Sequence, residues 1–136
     1  MHAHSSYDYA IVRVVPRVER EEFVNVGVIL SCPAHNFLAA RIEMDEQRVL
    51  SIDAGADLES IRSNLASIPL IAAGGAGAGP IGQLSQRERF HWLVAPRSTI
   101  IQTSAVHTGR CKAPGDTMEQ LLVSMVRRMT AGKGAR

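Results

Sequence analysis

The chain has 136 residues, enough for one domain with its own hydrophobic core. Its formal charge of +2 is too small to argue by itself for binding to nucleic acid. The two cysteines and five histidines are not spaced as metal ligands, which excludes a zinc framework, and we expect neither a metal ion nor a cofactor.

Several features of the chain favour a cytoplasmic protein. Cys32 and Cys111 are predicted to be reduced thiols, because neither belongs to a closely spaced cysteine pair. The first residues are polar and do not resemble a secretory signal, and no apolar run reaches transmembrane length. We therefore expect no membrane partner, and the oligomeric state stays open.

The first predicted element is a β-hairpin. Residues 7–15 and 22–31 are apolar runs rich in β-branched side chains, joined by the charged link 16–21 that opens with proline. Both faces of both strands are largely apolar, so we expect the hairpin to be covered on two sides. Alternation along the second strand predicts that one face carries Glu22, Val24, Val26, Val28 and Leu30.

Three residues of this hairpin need a physical reason: Arg13, Asn25 and Gly27. A turn centred near Glu19 would place Arg13 opposite Asn25. One interpretation is a small polar pocket on the sheet. In the structural interpretation, which we favour, Arg13 pairs with a carboxylate at the strand end and Asn25 bonds to a loop backbone. A helix would then pack into the notch that Gly27 leaves.

The next segment predicts a turn, a third strand and two helices. The sequence CPAHN at residues 32–36 is typical of a turn, and residues 37–42 predict a strand antiparallel to the second. Asp45 is expected to cap a short helix through Leu50. Asp57 is expected to cap a longer helix, with Leu58, Ile61, Leu65 and Ile68 on one face, that ends near Pro69.

The glycine-rich run at residues 72–82 predicts a mobile loop. A phosphate-binding loop would need a lysine and a hydroxyl after its glycines, and this run has neither. Ser85 and Glu88 then have the spacing of a capping box, which predicts a short helix toward Leu93. Residues 99–106 predict a fourth strand.

The last predicted element is a helix that starts with a capping-box-like pair, Asp116 and Glu119. Its apolar residues recur at helical spacing, and we expect that stripe to face the core. The stripe consists of Met118, Leu121, Leu122, Met125 and Met129.

Together these elements predict one α+β domain over residues 7–130. It would have about four mostly antiparallel strands covered by three or four helices, in the order β-β-β-α-α-α-β-α. Residues 1–6 and 131–136 are expected to be disordered tails, the second of them basic.

Two motifs carry a resemblance to a known family. Y-x-Y-x-I-V-R-V-x-P and R-x-E-x-x-N-V-G-V-I-L, both within residues 7–30, resemble the opening of a bacterial family catalogued as domain of unknown function 3037. RERFHWLVAPRSTIIQTSAVHTG, at residues 87–109, resembles the second half of the same family. The family has no established activity, so the resemblance implies no catalytic residues. Genes of its members are sometimes neighbours of HipA-like kinases, which implies such a kinase as a partner.

Polar residues that could gather into a ligand site are concentrated between residues 87 and 108. His107 could act as an acid or a base. However, no nucleophile has an identifiable base partner and no carboxylate follows to orient this histidine, so the catalytic residues stay unknown. With the two polar residues of the hairpin, the candidate ligand-binding residues are Arg13, Asn25, Arg97, Gln102, Ser104 and His107.

Two functional hypotheses follow. The one we favour is a non-enzymatic accessory or adaptor protein that binds another protein, with a HipA-like kinase as the partner that the resemblance implies. The alternative is a phosphate- or nucleotide-handling domain, such as a phosphoesterase or nuclease, that uses residues 97–107. We do not expect binding to nucleic acid, because the aromatic residues do not interleave with the basic ones.

Overall fold

Residues 4–129 are described in the computed structural model, and within them the predicted hairpin lies in a five-stranded antiparallel sheet. The strands are β1 (Ser5–Val14), β2 (Val24–Cys32), β3 (Phe37–Ile42), β4 (Ile101–Thr103) and β5 (His107–Cys111). They run in the order β3-β2-β1-β4, and β5 pairs with the first half of β1. Residues 1–3 and the expected basic tail 131–136 lie outside the described part.

Helices cover both faces of this sheet, as the two-sided hairpin predicted. They are α1 (Glu46–Ile52), α2 (Leu58–Ala73), α3 (Gly79–Gly82), α4 (Gln86–Leu93) and α5 (Pro114–Leu121), followed by a π turn at Leu122–Val126. The α+β class is confirmed, with five strands and five helices in the described range. None of these helices is long and apolar enough to cross a membrane.

The sheet separates two hydrophobic cores. The first core packs the sheet against α1, α2 and α4, and includes Val12, Val14, Val24, Val26, Ile29, Val49, Ile61, Leu65, Phe90 and Leu93. The second packs the other face against α5, and includes Ile11, Val28, Leu30, Cys32, Cys111, Met118, Leu121, Leu122 and Val126. Both cysteines are free thiols, and burial raises the pKa of the Cys32 thiol.

A β-bulge at Val26 divides β2 between these two cores. Val12 pairs with Gly27 and Arg13 pairs with Asn25, so Val26 has no partner on β1. The predicted opposition of Arg13 and Asn25 is therefore confirmed. The predicted alternation along β2 is wrong, because the extra residue shifts the faces: Val24 and Val26 enter the first core, whereas Val28 enters the second.

β3 approaches β2 closely at Gly27. A Cβ atom on Gly27 would lie 2.6 Å from the Arg41 carbonyl oxygen and 2.6 Å from Cδ1 of Ile42. The notch is thus filled by a neighbouring strand, and the expected helix does not occupy it.

The predicted strand at residues 99–106 is in fact two strands. The Ser104 N–H donates to the Ile11 carbonyl at 2.9 Å, but the Ile11 N–H donates to Ser104 Oγ, also at 2.9 Å, instead of to a backbone carbonyl. The chain leaves the ladder there and rejoins it at His107, opposite Tyr9. Between the two strands, residues 104–106 lie opposite only residues 10–11 of β1. A continuous strand could not keep register across three residues against two.

The predicted starts of three helices are confirmed. Asp45 accepts from the Arg48 N–H and caps α1, and Asp57 caps α2 in the same way. Ser85 forms a reciprocal capping box on α4. The third strand also has its predicted bounds and direction.

The chain beyond Pro69 is more regular than predicted. Pro69 lies inside α2, which continues to Ala73. Ile71 is buried in the first core, and Arg89 donates to its carbonyl at 3.0 Å, so packing and a distant cap outweigh the hydrogen bond that proline removes. The run at 72–82, expected to be a loop, contains the end of α2 and two short helical turns. Its mobility stays a prediction.

Both chain ends of the fold differ from the predicted bounds. β1 begins at Ser5, which pairs with Cys111, so the expected tail at residues 1–6 ends earlier. α5 begins at Pro114, and proline suits a first helical position because its missing N–H would be unpaired there. The expected capping box of Asp116 and Glu119 therefore does not form.

The predicted apolar stripe of the last helix is correct only in its first half. Met118, Leu121 and Leu122 are buried, whereas Met125 is 42% exposed and Met129 is 81% exposed. The π turn adds a residue to the last helical turn and brings Val126 into the second core in place of Met125.

A cluster of charges holds the end of this helix to β3. Arg127 donates to both carboxylate oxygens of Glu43, at 2.7 and 2.9 Å, and also binds Glu119. Arg41 bridges the same two carboxylates at 3.2 and 3.0 Å. The hydrogen bonds from Arg127 lower the pKa of Glu43 and of Glu119.

Gly27→Ala should destabilise the protein by about 1–3 kcal/mol, because the added methyl group would overlap the backbone and side chain of β3. Gly115→Ala is the matched control, since the space around Gly115 is open and alanine suits a helix better than glycine. Urea midpoints measure the difference. A Gly27→Ala variant with the midpoint of the parent would contradict this packing.

Stability should also fall in acid. The pKa of Glu43 is lowered in the folded protein. The stabilisation that its carboxylate provides is therefore fully present above the unfolded-state pKa, about 4.5, and is lost as the pH falls through the lower folded-state pKa. Glu43→Gln should lower the urea midpoint at pH 7 and give a shallower decline below about pH 4.5. Parent and variant declining in parallel would show that Glu43 does not take part.

Candidate functional site

Two adjoining cavities open at the start of β4. The first, of about 550 Å³, lies between α2, α4 and β4. The second, of about 340 Å³, is lined by residues of β1, of the hairpin link and of the turn before β4. Val18, Arg97 and Gln102 line both, so the cavities adjoin at these residues; we call the pair the groove, and its two parts the apolar chamber and the polar chamber.

The apolar chamber has large hydrophobic side chains that face solvent. Trp92 is 40% exposed, Ile100 is 43% exposed and Val18 is 37% exposed. Ile68, Leu93 and Ile101 complete its apolar wall. Single exposed hydrophobic residues are ordinary, but several around one concave surface are typical of a binding site.

Arg97 holds the wall of this chamber in place. Its guanidinium donates to the carbonyls of Trp92 at 2.8 Å, Ala95 at 3.1 Å and Leu93 at 3.3 Å, which lie at the end of α4 and in the turn that follows it. The same group stacks on the Trp92 ring, 4.7 Å from its centroid. Arg97 therefore has a structural role, whatever else it binds.

Arg13 lies in the polar chamber without a hydrogen-bond acceptor. Its guanidinium stacks over the Phe23 ring at 4.1 Å, and its Nε is buried without a partner. Within residues 4–129, no carboxylate lies at ion-pairing distance from Arg13, so the expected carboxylate partner is wrong. Oδ1 of Asn25, the residue opposite, is buried without a partner as well.

Gln102 joins the two chambers. It pairs with Arg13 across the β1–β4 ladder, and its Nε2 donates to the Thr99 carbonyl at 2.8 Å. That bond orders the turn from which Ile100 projects, and it leaves the side-chain oxygen of Gln102 available. Ser98 and Glu21 line the polar chamber beside it.

The other three predicted site residues lie outside this groove. Asn25 Nδ2 donates to the Met125 carbonyl at 3.0 Å, which caps the last helical segment and agrees with the expected backbone partner. Ser104 is part of the sheet ladder, and His107 stacks on Tyr9 with ring centroids 5.3 Å apart. The structure thus brings together Arg13, Arg97 and Gln102, and ligand binding by any of the six residues stays a prediction.

The sequence interpretation missed the apolar half of the groove. Trp92 lies in the predicted short helix and Val18 in the charged link 16–21, and a binding role was predicted for neither; the same holds for Phe23, in the second predicted strand, which lines the polar chamber. The available signal was the presence of these large apolar residues among charged ones, where a surface turn needs none. Among the described residues, no group of three or more histidine, cysteine or acidic side chains could hold a metal ion.

Comparison with known proteins gives one match. The model of a family described as "Protein of unknown function (DUF3037)" matches residues 9–126. No curated protein and no solved structure matches the chain significantly.

Arg97→Lys should destabilise the protein by about 1–2 kcal/mol, because an ammonium group cannot reach three carbonyls and stack on Trp92 at the same time. Arg87→Lys, an exposed position on α4, makes the same chemical change and should stay within about 0.5 kcal/mol of the parent. Urea unfolding distinguishes the two. Equal midpoints would show that the fork of Arg97 is not needed.

Proposed function

The chain belongs to the DUF3037 family of proteins of unknown function, and from that premise we propose that it is a non-enzymatic adaptor that binds a segment of another protein in the groove. The observation that carries the proposal is the set of solvent-facing apolar side chains, Trp92, Ile100 and Val18, around a cavity of about 550 Å³. Tryptophan in such a position is typical of residues that dominate protein–protein binding.

Two backbone N–H groups on the outer edge of β4 support an extended segment as the occupant, although the Ile101 carbonyl on that edge already accepts from the Thr99 hydroxyl at 2.9 Å. The bonds from Val15 N–H to the Ile100 carbonyl and from Ser104 N–H to the Ile11 carbonyl turn the backbone of Gln102 toward β1. The N–H groups of Ile101 and Thr103 then point away from β1, and both residues line the apolar chamber. A peptide can add its backbone to such an edge while its side chains enter the groove.

The alternative, a phosphate- or nucleotide-handling domain, has less support. Arg97 gives three of its five N–H donors to carbonyls at and just after the end of α4, and Ser104 and His107 lie outside the groove. For the partner, the family resemblance points to a HipA-like kinase, and that identity is part of the proposal.

Trp92→Ala should weaken partner binding by roughly tenfold or more, because it removes the largest side chain of the apolar chamber. Val123→Ala is the matched control, since Val123 is 52% exposed and lies on the π turn away from the groove. Tagged parent and variants are incubated with a lysate of the host, and captured proteins are identified by mass spectrometry. The partner is then purified and titrated against each variant by calorimetry.

The control decides what a loss of capture means. A partner that binds the parent and Val123→Ala but not Trp92→Ala would support the groove as the interface. A partner that binds Trp92→Ala as tightly as the parent would overturn the proposal. Circular dichroism shows whether each variant is folded.

A further inference from the structure

Arg13 differs from the other half-buried arginines of the described chain. Those are Arg48, Arg89, Arg97 and Arg127, and each of them donates to a carbonyl or a carboxylate. Arg13 donates to no group within residues 4–129, although its Nε is buried. A half-buried charge without an acceptor is unfavourable, so this guanidinium is available to pair with an acceptor that a bound partner supplies.

From this contrast we infer that the segment bound in the groove carries a carboxylate that pairs with Arg13, beside an apolar side chain that enters the apolar chamber. The inference rests on the proposed function and specifies the chemistry of the partner. Phe23 stacks on one face of the guanidinium and orients its plane. A planar guanidinium held in this way favours a planar, bidentate acceptor, which a carboxylate provides.

The charges around the polar chamber favour a single negative charge over a phosphate. Arg13 has no hydrogen-bond acceptor in the described chain, whereas Arg97 already gives three of its five N–H donors to carbonyls at and just after the end of α4, so Arg13 is the cation there with more donors to offer. Glu21 lines the same chamber and is exposed, and it would repel a dianion more strongly than a carboxylate. Ser98 and Gln102 supply neutral polar groups beside Arg13.

The adjoining position of the two chambers relates the acid to the apolar side chain of the bound segment. Val18 and Gln102 line both chambers, and Gln102 pairs directly with Arg13 in the sheet. One bound segment can therefore place an apolar side chain against Trp92 and an acid at Arg13. The recognised element is an aspartate or glutamate in the same segment as a large apolar residue.

The test begins with selection of a displayed random-peptide library on the parent protein. A selected peptide is synthesised in three matched forms, with aspartate, asparagine or phosphoserine at the acidic position. Binding is measured by titration calorimetry, which needs no tryptophan and therefore serves the parent and Trp92→Ala equally. We expect the asparagine form to bind the parent roughly ten to a hundred times more weakly than the aspartate form.

Two variants test whether the preference for aspartate over asparagine arises in the polar chamber. Arg13→Gln should abolish it while leaving the affinity for the asparagine form unchanged. Glu21→Gln does not alter the sheet, so it remains informative if Arg13→Gln fails to fold, and it should tighten binding of the aspartate form. The preference should also decrease as salt is added.

The possible failures are distinguishable. Selected peptides that Trp92→Ala still binds, or a library that yields no binder, would overturn the proposed function and this inference with it. Peptides that need Trp92 but show no acid preference, or a preference unchanged in both variants, would overturn this inference alone. Much tighter binding of the phosphoserine form than of the aspartate form would overturn the assignment of a carboxylate.

Discussion

β1 pairs with β2 along one edge and with β4 and β5 along the other, and its side chains alternate between two cores. A strand enclosed in this way has no water to satisfy its backbone, so its backbone N–H and C=O groups must find protein partners. Ser104 shows this constraint directly: its hydroxyl takes the place of a backbone carbonyl where β4 and β5 separate. The break between the two strands is tolerated because the Ile11 N–H remains bonded.

The same requirement explains most of the polar residues that look functional in the sequence. Carbonyls at the ends of helices lack partners within the helix, and in this protein distant side chains supply them. Arg89 binds the end of α2, Arg97 the end of α4, and Asn25 and Arg48 the last helical turn. These groups fasten elements to one another, which leaves Arg13 as the half-buried arginine that donates no hydrogen bond within the described chain.

The groove follows from this arrangement. The guanidinium of Arg97 binds carbonyls at the end of α4 and holds Trp92 at the surface. The hydrogen bond from Gln102 to the Thr99 carbonyl shapes the turn that carries Ile100. Because β4 has only three residues, its outer edge is short, and this edge borders the apolar chamber. The walls of this groove are thus held by the same contacts that fasten the elements of the fold.

Local patterns in the sequence determined the hairpin, the opposition of Arg13 and Asn25, the third strand and the caps on α1, α2 and α4, because each depends on residues close along the chain. The motifs at both ends also identified the family. Tertiary structure alone decided the bulge at Val26, the continuation of α2 past Pro69 and the partner of Asn25. Those features depend on contacts between distant segments, such as the 100 residues that separate Asn25 from Met125. The groove belongs to the same class, since its walls come from the hairpin link, α2, α4 and β4, and no local pattern states that these segments meet.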